Sequence, residues 1–116
     1  MREKPKDKIR LQHIVEAIDT IFEFVGGVSK EHFLSNKMMQ FAIIKNLEIV
    51  GEAAYLLTKD LKQNHPEVEW KDIEGMRHFL VHEYYQISNE IIWQTIENDL
   101  ESLKTKVNKI ISEITD

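Results

Sequence analysis

The chain has 116 residues, of which 42 % are hydrophobic and 30 % are charged, and we predict one soluble domain over residues 1–116. No apolar run approaches the roughly 18 residues of a membrane span. The absence of cysteine excludes disulfides and thiolate metal sites. The charged N-terminus has no apolar segment behind it, so we predict no signal peptide and a cytoplasmic protein. The formal net charge of -5 disfavours general affinity for nucleic acid, which depends on clustered Lys and Arg, and only the first ten residues are locally basic.

The first predicted helix is marked by apolar residues at steps of three and four. Gly26 and Gly27 follow the stripe and predict the end of the helix, because glycine is favoured just after a helix C-terminus. Residues 30–34 are predicted to form a single turn. The residues of the stripe are Leu11, Ile14, Ile18, Ile21 and Val25.

A second helix is predicted over about residues 36–59, with Ser35 as its N-cap. Its apolar surface is wider than one stripe, which predicts a helix covered on two sides, by its own bundle and by a partner. Pro66 ends any helix before it, because proline disfavours helical geometry in the preceding residue.

A third helix is predicted over about residues 70–84, and Ser88 or Asn89 can cap a fourth. The fourth helix has the most regular stripe, and no segment shows the period of two that predicts a strand. We therefore predict an all-α, antiparallel bundle of four to five helices with short connections. The stripe of the fourth helix consists of Ile92, Ile96, Leu100, Leu103, Val107, Ile110 and Ile114.

The segment "GMRHFLVHEYY", residues 75–85, concentrates rings and charges, and three interpretations compete. The first is metal binding, since His78 and His82 are four residues apart and share a helix face. His82 also begins an HExxH pattern, but the pattern fails at Gln86, and no third ligand follows from the local spacing. We therefore expect no metal site.

The second interpretation is structural. The apolar residues of the segment would face the core, the charged residues would be solvated or paired, and Tyr84 and Tyr85 would close one end of the bundle with their hydroxyls outward. Residue types alone do not exclude this interpretation.

The third interpretation is metal-free cleavage of a phosphodiester. A histidine can move the proton, a forked arginine can hold the phosphate, and RNA supplies its own 2′-hydroxyl nucleophile. Arg77 and His82 are five residues apart, about 140° around a helix and about 7.5 Å along it, so they do not share a face. A second copy of the helix across a twofold axis would make their convergence easier.

The spacing of Arg77, His82 and Tyr84 resembles the RxxxxHxY motif of HEPN-domain toxins of the HepT type. Three further stretches resemble the same family and extend the likeness over nearly the whole chain. They are "LEIVGEAAYLL" (47–57), "HPEVEWKDIEGMRHFLVHEYY" (65–85) and "IIWQTIENDLESL" (91–103).

The resemblance implies a HEPN-like homodimer that faces its two motifs across a cleft, and a metal-independent endoribonuclease that is the toxin of a toxin–antitoxin pair. Arg77 and His82 would be catalytic and RNA the substrate, with no cofactor for cleavage. The partner would be an MntA-type nucleotidyltransferase that uses ATP and Mg²⁺ to attach AMP to Tyr84.

Secondary candidates follow from the same comparison. His78 stands where many relatives carry Asn, and it is a secondary active-site candidate together with Glu83. Glu48 and Glu52 match acidic positions of the family's second helix, where they orient Arg77, are solvated or cap the core. The alternative function is a non-catalytic helical module that presents a substrate to a nucleotidyltransferase.

Overall fold

The computed structural model describes residues 6–114, and within that range all regular structure is helical. This confirms the predicted all-α class. A single 3₁₀ turn at Tyr84–Gln86 adds to seven α-helices. The helices are α1 (Asp7–Val25), α2 (Lys30–Ser35), α3 (Lys37–Leu56), α4 (Lys59–Asn64), α5 (Trp70–His82), α6 (Asn89–Asn98) and α7 (Leu100–Glu113).

Helix α3 lies at the centre of the bundle and packs against both α1 and α5, while α1 also packs against α7. The carboxylate of Asp7, at the start of α1, accepts hydrogen bonds from the backbone N–H and the hydroxyl of Thr58, just after α3, at 2.9 and 2.6 Å. The start of α1 therefore lies beside the end of α3, and the two helices are antiparallel. Fully buried core side chains include Leu11, Ile14, Ile18, Ile21, Phe33, Ile43, Leu47, Val50, Val107 and Ile110.

The boundaries of α3 differ from the prediction at both ends. The predicted cap, Ser35, is wrong: it is the last residue of α2, and the side chain of Asn36 accepts the capping hydrogen bond from the N–H of Met39. The helix ends at Leu56 rather than near residue 59, because Thr58 caps a separate short helix, α4, through the N–H of Leu61. Asn and Thr are both good N-caps, so each boundary has a local chemical cause.

The fourth predicted helix is divided at Asp99 into α6 and α7. The hydrogen bonds from Asp99 to Thr95 and from Leu103 to Asp99 persist at 3.0 and 3.1 Å, so the break is a local distortion rather than a chain reversal. The apolar stripe passes through it undisturbed, since Leu100 remains buried. At the other end, Ser88 caps α6 as predicted, through the N–H of Ile91.

Gly27 ends α1 in a left-handed conformation, with φ of 75°, which glycine adopts without strain. The predicted turn at residues 30–34 is the short helix α2. Residues 1–5, which hold half of the basic N-terminal stretch, lie outside the described residues. Within residues 6–114, no helix has both the length and the apolar content that crossing a bilayer requires.

Candidate active site

Helix α5 carries Arg77 and His82 of the RxxxxHxY motif, and its two ends are fixed by hydrogen bonds. The indole N–H of buried Trp70 donates to the carbonyl of His65 at 3.0 Å, which ties the preceding loop to the first turn. The helix ends at His82, two residues before the predicted end, where the N–H of Glu83 donates to the carbonyl of Phe79 at 2.8 Å. His82 thus occupies the last helical position, and Tyr84 lies beyond the helix in the 3₁₀ turn.

Arg77 is held by three residues of α3. A Cβ atom on Gly51 would lie only 2.2 Å from Cβ of Arg77, so the close approach of the two helices requires glycine. The Nε of Arg77 donates to Oε1 of Glu52 at 2.8 Å, and its Cζ lies 5.9 Å from the ring centroid of Tyr55. This arrangement orients the guanidinium and leaves its two terminal nitrogens available to bind an anion.

The Arg77 side chain lines a groove on the outer face of α3, which we call the α3 groove. Its volume is about 310 Å³, and residues of α1, α3 and α5 form its walls. Three permanently charged cations and two carboxylates line it, which contrasts with the net negative charge of the whole chain. The lining residues are Arg10, His13, Lys45, Glu48, Ile49, Glu52, Ala53, Leu56, Arg77 and Val81.

His82 lies on the exposed side of α5, next to His78 rather than to Arg77. The two imidazole rings are 4.6 Å apart between centroids, with an angle of 45° between their planes. Among the described residues, no hydrogen bond joins Arg77 to His82, as their separation around the helix predicted. The same part of the chain contains no group of three or more His, Cys, Asp or Glu residues that could hold a metal ion.

Glu83 and Tyr84 follow the helix, and within residues 6–114 their side chains make no hydrogen bond or ion pair. Glu83 contributes its backbone to the helix end, and its carboxylate forms no ion pair among the described residues. Tyr84 and Tyr85 contact each other edge to face at 5.8 Å and are 70 % and 68 % exposed. Both hydroxyls are accessible to another enzyme, so exposure alone does not distinguish the two tyrosines.

The structure separates the two acidic candidates of α3. Glu52 contacts Arg77 directly, whereas Glu48 lines the groove and makes no hydrogen bond with Arg77. Lys45, which the sequence analysis missed, lies one and two turns from these residues on the same helix face, so its spacing was a usable signal. Arg10 and His13 come from α1, and no local pattern could have placed them in this groove.

Comparison with known proteins gives consistent matches. Residues 14–110 match the family model described as "Ribonuclease HepT-like". A protein of Thermococcus cleftensis named "Probable ribonuclease HepT" is 40 % identical over 107 residues, which cover 92 % of this chain and 97 % of that relative. A Caldanaerobacter subterraneus protein named "Putative RNase" is 38 % identical over 101 residues, covering 87 % and 90 % of the two chains. No solved structure matches.

Proposed function

The chain belongs to the HepT-like ribonuclease family, and we propose that it cleaves RNA internally without a metal ion, as the toxin of a toxin–antitoxin pair. The observation that carries the proposal is the fixed Arg77 guanidinium. The ion pair with Glu52 orients Arg77 in the α3 groove, although the chain as a whole is acidic. His82 follows it on the same helix, about one and a half turns later, and is exposed.

Arg77 binds the scissile phosphate. Its Nε donates to Glu52, which leaves the two terminal nitrogens as a fork that can bind two phosphate oxygens in the groove that Arg77 lines. The additional negative charge that develops on these oxygens in the transition state strengthens the same hydrogen bonds. Such a fixed donor is worth about 10² to 10³ in rate.

His82 moves the protons. As a base it takes the proton of the 2′-hydroxyl, whose oxygen attacks phosphorus while the bond from phosphorus to the 5′-oxygen breaks. A second group must protonate the departing 5′-oxygen, and His78 or the His82 of a second protomer can supply that proton. The products are a 2′,3′-cyclic phosphate and a 5′-hydroxyl, and no metal-bound water is needed.

A homodimer completes the site. Arg77 and His82 lie on different sides of α5, so a second copy across a twofold axis can bring the two kinds of group together. Met38 and Phe41, on the outer face of α3, are 82 % and 64 % exposed. Large apolar side chains that are so exposed, on the helix that borders the groove, fit a surface that a second copy covers.

Regulation acts through Tyr84. A nucleotidyltransferase antitoxin of the MntA type uses ATP and Mg²⁺ to attach AMP to its exposed hydroxyl. The attached phosphate introduces negative charge two residues from His82, where it competes with RNA for Arg77 and repels the RNA backbone. The fold is unchanged, and cleavage stops.

The direct test is to purify the chain without its partner and assay it on total RNA with and without EDTA. Wild-type protein should cleave in EDTA and leave 2′,3′-cyclic or 3′-phosphate ends, whereas Arg77→Ala and His82→Ala should lose a factor of about 10² to 10⁴ in rate. His78→Ala should lose less. Circular dichroism verifies that each variant is folded.

Two results would refute this mechanism. Full activity of His82→Ala would remove its proton-transfer step, and loss of activity in EDTA with recovery on adding a divalent metal would support a metal site at His78 and His82 instead. A folded wild-type protein that cleaves no RNA would favour the alternative, a non-catalytic module that partners a nucleotidyltransferase.

A further inference from the structure

The α3 groove contains three basic side chains to which the mechanism assigns no role. Arg10 and His13 reach the groove from α1, and Lys45 reaches it from α3 itself. Helix α3 packs against α1 on one side and α5 on the other, so Arg10 and His13 lie across α3 from Arg77, and Lys45 lies on α3 between the two walls.

These cations lack the neutralising contacts that the other groove cation has. Arg77 is paired with Glu52 at 2.8 Å, whereas within residues 6–114 neither the Arg10 guanidinium nor the Lys45 ammonium forms an ion pair within 4.0 Å. Glu48 is a carboxylate in the same groove, but it does not balance both of them. The groove thus retains positive charge in a chain whose formal net charge is -5.

The spacing along α3 separates Lys45 from Arg77. Lys45 precedes Glu52, the partner of Arg77, by seven residues, which is about 10 Å along a helix axis. Arg10 lies toward the other end of α3, because α1 runs antiparallel to α3 and its start lies beside Thr58. The three cations therefore start from different levels of the groove, and a phosphate on Arg77 leaves Arg10 and Lys45 available for other phosphates. A strand of RNA brings a phosphate at every nucleotide, and cations with no protein partner are the groups that take them.

We infer that Arg10 and Lys45 form a second RNA-binding site in the α3 groove, made of two separate contacts, each of which holds a phosphate that neighbours the scissile phosphate on Arg77. The inference rests on the proposed function. The second site binds and positions RNA but contacts no reacting atom, so its loss should raise KM and leave kcat nearly unchanged.

The test compares substrates with one and with several phosphates. Arg10→Gln and Lys45→Gln should each raise KM for an oligoribonucleotide about three- to tenfold, with kcat at saturation within twofold of wild type, and should reduce the slope of log affinity against log salt by about 0.7. A dinucleoside monophosphate has only the scissile phosphate, so both variants should cleave it as wild type does.

Lys37→Gln is the matched control. It removes the same charge from the same helix at an exposed position outside the groove, so its KM and salt slope should stay at the wild-type values. Equal effects of Lys37→Gln and Lys45→Gln would mean that only the net charge matters and would overturn the inference. If Arg10→Gln and Lys45→Gln lost as much activity on the dinucleoside monophosphate as on the oligoribonucleotide, the inference would also be overturned, because the residues would then act at the scissile phosphate.

A binding measurement separates this inference from the proposed function. A fluorescent 2′-O-methyl oligonucleotide cannot be cleaved, and its anisotropy reports binding whether or not the protein is a nuclease. Weaker binding and a smaller salt slope in Arg10→Gln and Lys45→Gln support the second site even if wild-type protein cuts nothing. Wild-type binding by both variants, in a protein that does cleave RNA, refutes the second site alone.

Discussion

Substituting Gly51 with alanine tests how the fold holds the arginine of the motif. The new methyl group would lie 2.2 Å from Cβ of Arg77 and 3.1 Å from its Cα. Non-bonded carbon atoms normally stay about 3.5 to 4.0 Å apart, so α3 and α5 must separate by roughly 1.3 Å or more. A change of rotamer cannot relieve the contact, because the Cβ positions are fixed by the two backbones.

Two opposing energies decide the outcome for stability. Alanine in a helix interior is about 1 kcal/mol more favourable than glycine. Overpacking a close helix contact costs about 1 to 3 kcal/mol, and here both colliding atoms are attached directly to backbone. We therefore expect Gly51→Ala to lower the free energy of unfolding by up to roughly 2 kcal/mol, a result that urea denaturation measures.

Gly75→Ala provides the matched control on α5. A Cβ atom at Gly75 would have nothing within 4 Å, so only the helix propensity remains, and this variant should gain up to about 1 kcal/mol. Under the proposed mechanism, a displacement of Arg77 by about 1 Å in Gly51→Ala should also reduce RNA cleavage by about ten- to a hundredfold. Equal stabilisation of the two variants, with wild-type cleavage in Gly51→Ala, would refute the close-approach argument.

Three further predictions concern the surroundings of Arg77. Glu52→Gln should lower kcat about two- to fivefold, because it weakens the ion pair that orients Arg77, and it should not raise KM, because it removes a negative charge near the phosphate. Steady-state kinetics on one oligoribonucleotide measure both constants. Phe41→Glu should give a monomer by light scattering, and a wild-type protein that is itself an active monomer would contradict the dimer. With the partner enzyme and ATP, mass spectrometry should find AMP on wild type and Tyr85→Phe but not on Tyr84→Phe; modification of Tyr85 would reassign the switch.

The sequence predicted the helical class because its apolar periodicity is strong, but it did not predict every helix boundary. The start and end of α3 were misplaced because Asn36 and Thr58 are caps within an otherwise continuous helical pattern. The distortion at Asp99 was invisible because the apolar stripe continues through it. Periodicity reports which face is buried, and these local features leave that face unchanged.

The candidate site was likewise predicted only in part from the sequence. The sequence left Glu52 as a partner of Arg77, a solvated residue or a cap of the core, and the structure shows the contact with Arg77. The close approach at Gly51 explains why a glycine stands in the middle of a long helix, a position that local propensity disfavours. Arg10 had no local signal, because its place in the α3 groove depends on how α1 packs against α3.

The two proposed catalytic residues, Arg77 and His82, differ in how firmly the fold holds them, and this difference supports a homodimer. Arg77 is fixed by a close helix contact, an ion pair and an aromatic ring, whereas His82 is exposed at the helix end beside the ring of His78. Proton transfer at a phosphodiester requires a base within about 3 Å of the reacting oxygen. Under the proposed mechanism, one protomer provides an oriented arginine for the phosphate, and a second copy of α5 is the simplest means of bringing a base to it. We therefore expect a mixture of Arg77→Ala and His82→Ala protomers to regain activity in heterodimers that retain one intact pair across the interface, and no recovery on mixing would place the whole site within one protomer.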